Sequence, residues 1–130
     1  MAVNKDMPVL VVDDYASMVR IVRGMLNELG FKNIDSAANG EDAFEKIQTT
    51  KPPYELILSD WNMQPVSGLE LLKKVRGKEE TVKTPFVMVT AEAKVENVME
   101  ARKAGVNNYI IKPFTTAVLK QKLSTVLGEI

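Results

Sequence analysis

Three aspartates, a threonine and a lysine each follow directly on a short apolar run. Asp13 and Asp14 come after Val-Leu-Val-Val, Asp60 after Leu-Ile-Leu-Ser, Thr90 after Phe-Val-Met-Val and Lys112 after Tyr-Ile-Ile. Carboxylates crowded at one rim repel each other, and a cation offsets that charge. Mg²⁺ suits the set, because it takes oxygen ligands, uses one or two carboxylates and keeps positions for water and phosphate oxygens. Asp14 and Asp60 are the expected direct ligands, Asp13 a direct or water-mediated one, and the backbone carbonyl of Asn62 completes the protein's share. A carboxylate beside such an ion can attack phosphorus and form an acyl phosphate. Asp60 is the expected nucleophile, since it follows the middle run, between the acidic pair and the Thr and Lys. The Thr90 hydroxyl, the Lys112 ammonium and the backbone N–H of Ala91, whose small side chain leaves room, would then meet the phosphoryl oxygens.

Each residue also has a plainer reading. Asp13 and Asp14 suit caps on the helix that follows them, where orphan N–H groups favour carboxylates. Thr90 suits a cap on the next turn, Lys112 before Pro113 suits a solvated loop, and Asp60 suits an Asx turn. What sets the functional reading apart is that all five stand at one kind of place.

That place is defined by the patterning around them. Apolar runs at Val9–Val12, Ile34–Ala37, Leu56–Ser59, Phe86–Val89 and Tyr109–Ile111 alternate with stretches of helical period. All five runs read as strands without polar alternation, covered by helices on both faces. The first helix is predicted over Ala16–Leu29, with Met18, Val22, Met25, Leu26 and Leu29 on one stripe and Gly30 ending it. The others are predicted over Gly40–Gln48, burying Ala43, Phe44 and Ile47; Gly68–Arg76, burying Leu69, Leu72 and Val75; Val95–Ala104, ending at Gly105; and Thr116–Leu127, carrying Leu119, Leu123, Val126 and Leu127. This predicts one α/β domain with its core over about residues 8–128, a doubly wound parallel sheet and no output domain. Ligands of such sheets sit outside the carboxyl ends of the strands, which is where the five polar residues stand.

Composition narrows the chemistry further. The 130 residues include neither cysteine nor histidine, which removes disulfides, thiolate nucleophiles, imidazole bases and the usual zinc sites. Carboxylates, hydroxyls and lysines remain. With 17 basic and 17 acidic residues there is no broad positive field for a nucleic acid. Neither a signal core nor an apolar run of about 20 residues is present, so a cytoplasmic protein without a membrane partner is expected.

The segments VLVVDDYASMVRIV, LILSDWNM, VMVTAEAKVENV and AGVNNYIIKPF together resemble the receiver domain of two-component response regulators, and within it the stand-alone chemotaxis regulators. The resemblance runs from Val9 to about Leu127 and implies a flavodoxin-like sheet of five parallel strands in the order 2-1-3-4-5, with five helices. It implies Asp60 as phospho-acceptor, Asp13, Asp14, Asp60 and the Asn62 carbonyl around Mg²⁺, and Thr90 and Lys112 at the phosphoryl group. Thr90 would move toward the phosphate and Tyr109 turn inward behind it, remodelling the face of the fourth helix, fifth strand and fifth helix; without the resemblance, Tyr109 reads as a partly exposed strand aromatic. Asn62 and Glu92 stand where the family tunes hydrolysis, and the bond Lys112–Pro113 stands where the family usually has a cis peptide.

The implied partners are a CheA-like histidine kinase, since the chain has no histidine of its own, and a target such as the flagellar motor switch protein. A monomer is expected. The sequence departs from the family at Gln64, with Pro65 one place later than usual, and in Val95 and Arg102 on the presumed target face. A phosphate-sink receiver with no motor target is the alternative within the family. Outside it stand a small aspartyl-phosphate phosphatase, which would open its first strand with Asp-x-Asp, and a flavodoxin-like FMN binder, whose phosphate Asp13 and Asp14 would repel.

Overall fold

The structure, a computed structural model, describes residues 3–130. Its elements in chain order are β1 (Val9–Val12), α1 (Ala16–Glu28), β2 (Ile34–Ala37), α2 (Gly40–Thr49), β3 (Leu56–Ser59), α3 (Gly68–Arg76), β4 (Phe86–Thr90), α4 (Val95–Lys103), β5 (Asn108–Ile111) and α5 (Thr116–Leu127). All strand pairs are parallel and the sheet order is β2-β1-β3-β4-β5, as expected. Boundaries move by one residue at several ends, the usual fraying of terminal turns. Of these, Thr90 closing β4 bears on the site.

Because side chains alternate across a strand, each central strand feeds two cores. Val9, Val11, Leu56, Leu58, Val87, Val89 and Ile110 pack against Val22 and Leu26 of α1 and Leu119 and Leu123 of α5. Leu10, Val12, Ile57, Phe86, Met88 and Tyr109 pack against Ala43 and Ile47 of α2, Leu69, Leu72 and Val75 of α3, and Ala101 of α4. Every side chain of β1, β3 and β4 is buried, so no face of the central sheet meets water. Gly30 and Gly105 take positive φ (100° and 98°) just past α1 and α4, where a Cβ would be strained.

The expectation fails at both edge strands: Ile111 of β5 is exposed, and the departure is larger at β2. Its residues Ile-Asp-Ser-Ala alternate in burial, and only Ala37 is buried. It is an edge strand paired to β1 alone, so one side of its backbone lacks a strand partner. Cations from the flanking helices take the open carbonyls: Arg23 Nη2 donates to Ile34 O at 3.0 Å and Lys46 Nζ to Ser36 O.

Candidate functional site

Register places the carboxylates. Val12 pairs with both Ala37 and Ser59, so Asp13 and Asp60, one residue further on adjacent strands, stand level. Two backbone bonds hold that level: Asp60 N donates to Val12 O at 2.9 Å and Asp13 N to Ala37 O at 3.2 Å. Thr90 pairs with Ile111, and Lys112 N donates to Thr90 O at 2.9 Å, which seats Lys112 on the same rim. Asp13, Asp60 and Thr90 are buried, whereas Asp14 is exposed at the mouth.

The carboxylates of Asp13, Asp14 and Asp60 each offer an oxygen, and these lie within 4.8 Å of one another. Ligands on opposite sides of a six-coordinate Mg²⁺ are about 4.2 Å apart, so the cluster has the size and the all-oxygen chemistry that this ion takes. Lys112 Nζ bridges two of the three, at 2.8 Å from Asp13 Oδ2 and 3.6 Å from Asp60 Oδ2. The lysine is therefore not a solvated loop residue. Nor do the aspartates cap α1, whose N-cap is Tyr15 with no side-chain cap bond. Asp13 Oδ1 instead accepts the Tyr15 N–H at 3.0 Å, and Asp60 Oδ1 accepts the Trp61 N–H at 2.7 Å. Each buried carboxylate thus has one oxygen fixed by the backbone and the other turned toward Lys112.

A second layer lies behind the rim. Thr90 Oγ1 accepts the Glu92 N–H at 3.3 Å, leaving the hydroxyl proton free to donate elsewhere. Tyr109 is buried, donates its hydroxyl to the Glu92 carbonyl at 2.7 Å and meets Trp61 edge to face, with ring centroids 6.4 Å apart. Burial, aided by the charges of Glu92 and Asp60, pushes its phenol up to about 12. Tyr109 is thus buried in the fold and not a partly exposed strand aromatic. The Glu92 carboxylate accepts from Asn62 Nδ2 at 2.8 Å and from Asn97 Nδ2 at 3.0 Å.

The loop after β3 is held just as closely. A Cβ on Gly68 would stand 2.0 Å from the Asp60 carbonyl oxygen, and Gly68 N donates to Trp61 O at 2.9 Å. The buried Ser59 hydroxyl donates to the same Asp60 carbonyl at 2.9 Å. Gln64–Pro65 and Lys112–Pro113 are both cis. Ala91, exposed, follows Thr90. Asn62 is exposed and turns its side chain to Glu92. Asn97 escaped the sequence reading, and Ser59 and Gly68 figured in it only as the end of a strand and the start of a helix. A capping box at Ser67 and Glu70 was the available sign that α3 begins hard against the Asp60 loop.

Residues 9–124 match the response regulator receiver domain. The chain is 45% identical over 127 residues to the chemotaxis protein CheY-3 of Vibrio cholerae, covering 98% of this chain and 96% of the relative. It is 44% identical over 122 residues to CheY1 of Helicobacter pylori, covering 94% and 98%. Among solved structures, CheY4 of Vibrio cholerae superposes with a TM-score of 0.85 at 33% identity, over 94% of this chain and 99% of that one. The receiver domain of a sensor histidine kinase from Pseudomonas aeruginosa PAO1, solved with a magnesium ion coordinated in the active site cleft, gives 0.83 at 26% identity, over 95% and 99%. A strand order of 2-1-3-4-5, an aspartate trio on two adjacent strand ends and a lysine bridging it agree with these likenesses: the chain belongs to the response regulator receiver domains and is CheY-like.

Proposed function

We propose that the chain is a phosphorylation-dependent switch of a two-component system serving chemotaxis, with Asp60 as phospho-acceptor. The observation that carries this is the cluster of three carboxylate oxygens within 4.8 Å, with Lys112 Nζ at 2.8 Å and 3.6 Å from two of them. Receiver domains bind Mg²⁺ at an acidic pocket, and Asp13, Asp14, Asp60 and the Asn62 carbonyl are the groups that would hold it here. When bound, the ion neutralises charge on the incoming phosphoryl oxygens.

Asp60 Oδ2 is the attacking atom in this reading, because Oδ1 is engaged by the Trp61 N–H. An O–P bond forms at Oδ2 as the P–N bond of a phosphohistidine on a CheA-like kinase breaks, and the released imidazole leaves with the bonding pair. Lys112, the Thr90 hydroxyl and the Ala91 N–H take the three equatorial oxygens. Hydrolysis reverses the state: water attacks phosphorus, and the aspartate leaves as carboxylate with inorganic phosphate. The chain would catalyse only these two steps on itself, in keeping with receiver domains being signalling proteins rather than enzymes that turn over a substrate.

The output would be the face of α4, β5 and α5. Val95 and Met99 on α4 and Ile111 on β5 are 69%, 54% and 40% exposed, a share of apolar surface that suits a protein target such as the flagellar motor switch. α4 is also lightly seated, with Ala101 its one buried residue. A shift from 1:99 to 99:1 between two packings of that face needs about 5.5 kcal/mol of differential stabilisation. The relatives are matched over 96% and 98% of their own length, so the likeness takes in nearly the whole of each; in this reading the receiver is monomeric and cytoplasmic. Among the described residues no helix is long and apolar enough to cross a membrane.

Acetyl phosphate with Mg²⁺ should add one phosphoryl group by intact mass, and Asp60→Asn should abolish the addition. Incorporation that survives in Asp60→Asn overturns the assignment. Capture of purified motor switch protein by beryllofluoride-loaded chain separates the motor reading from the phosphate sink, which would bind none.

A further inference from the structure

Glu92 is hydrogen-bonded to four other residues beside the site. Its N–H binds Thr90 Oγ1, its carbonyl binds the Tyr109 hydroxyl, and its two carboxylate oxygens are taken separately by Asn62 at 2.8 Å and Asn97 at 3.0 Å. Asn62 lies two residues beyond Asp60, and Glu92 two residues beyond Thr90. The Asn62–Glu92 bond therefore ties together the two loops that carry the proposed acceptor and the proposed phosphoryl-binding hydroxyl. Asn97 differs from both. It sits in the first turn of α4, on helical backbone, and is half-buried.

A glutamate on a loop has three rotatable side-chain bonds, and one exposed amide is a weak restraint on it. Two charge-assisted donors, one on each oxygen, fix the plane of the carboxylate. The donor on the helix sets where that plane lies, because the other comes from a loop that must itself be held. We propose that Asn97 is a positioning residue for the phosphoryl chemistry at Asp60: by holding Glu92 Oε2 it aims Oε1 at the Asn62 amide, and so keeps the Asp60 and Thr90 loops tied across the site. The inference rests on Asp60 carrying the phosphoryl group. With the tie cut, the two loops part more readily and water reaches the acyl phosphate sooner.

The test is a double-mutant cycle on the first-order decay of protein phosphorylated by acetyl phosphate. Asn97→Ala and Asn62→Ala should each speed decay by about tenfold or more, the order expected for one lost charge-assisted hydrogen bond. The double variant should be no faster than the single ones, because both substitutions cut the same tie. Asn97→Gln, which keeps the amide, should recover part of the lifetime. In the metal-free, unphosphorylated protein, the Asn62 side-chain amide resonances should move toward free-amide positions in Asn97→Ala, a readout independent of phosphorylation. Unchanged decay in Asn97→Ala, multiplied effects in the double variant, or unmoved Asn62 resonances would overturn the proposal. Failure of the wild type to take a phosphoryl group would instead sink the Asp60 assignment, which is scored separately by intact mass.

Discussion

Two aspartates side by side in sequence differ sharply in surroundings. Asp13 is buried against Lys112, and Asp14 is exposed, with no ion pair among the described residues. In metal-free protein Asp14→Asn should therefore relieve repulsion and raise stability slightly, by less than about 1 kcal/mol. Asp13→Asn should lower it by about 1 to 2 kcal/mol, less than an orphaned cation would cost, because Lys112 keeps Asp60 nearby. Urea denaturation in the presence of a chelating agent measures both. Tyr109 carries a pH prediction. Its phenol ionises near pH 12 in the fold against 10.0 in the free side chain, so the native state holds that proton more tightly. Its contribution is complete below pH 10 and is lost as pH climbs toward 12. Stability should fall more steeply over that window in wild type than in Tyr109→Phe. The five rim residues were legible in the sequence because each ends an apolar run, and their types point to one chemistry. Asn97 was not, since an asparagine in a helix's first turn has many innocent uses and its partner Glu92 lies across a loop.

At the scale of elements, the strands that carry the site were readable from apolar runs, and β2 was misjudged because its short length hid the polar pair Asp35 and Ser36. Periodicity names a strand without saying whether it lies at an edge. The close seating of α3 was likewise invisible, because glycine at a helix start is read as a boundary and not as a contact. Gly68→Ala should cost about 3 kcal/mol, since the methyl meets a backbone carbonyl that cannot swing aside. Arg76, at the end of α3, is a second anchor. Its guanidinium, whose pKa burial lowers, donates to Gly105 O at 3.0 Å, Thr84 O at 2.7 Å and Asn107 Oδ1 at 2.8 Å, and so ties α3 to β4 and to the turn before β5. Arg76→Ala should destabilise by about 2 to 3 kcal/mol, and the thermal midpoint should drop without any change in Mg²⁺ affinity.

For the molecule as a whole, the two cores enclose the centre of the sheet on both faces, whereas α4 buries Ala101 alone. Binding at the rim should then be read as added stability. Mg²⁺ at a hundredfold excess over its dissociation constant should raise unfolding free energy by about 2.7 kcal/mol, a gain that Asp60→Asn and Asp14→Asn diminish in calorimetry. The parallel sheet and the gathering of the candidate residues on one rim were foreseeable from the alternation of runs, whereas the wiring behind the rim was not, because it depends on side-chain directions that no spacing encodes. The Lys112 ammonium between Asp13 and Asp60 has a last consequence. It is a tethered counterion, present at the instant the chain folds. Folding on the ribosome thus need not wait for a divalent ion, and a chain born into magnesium-poor surroundings should still reach this fold.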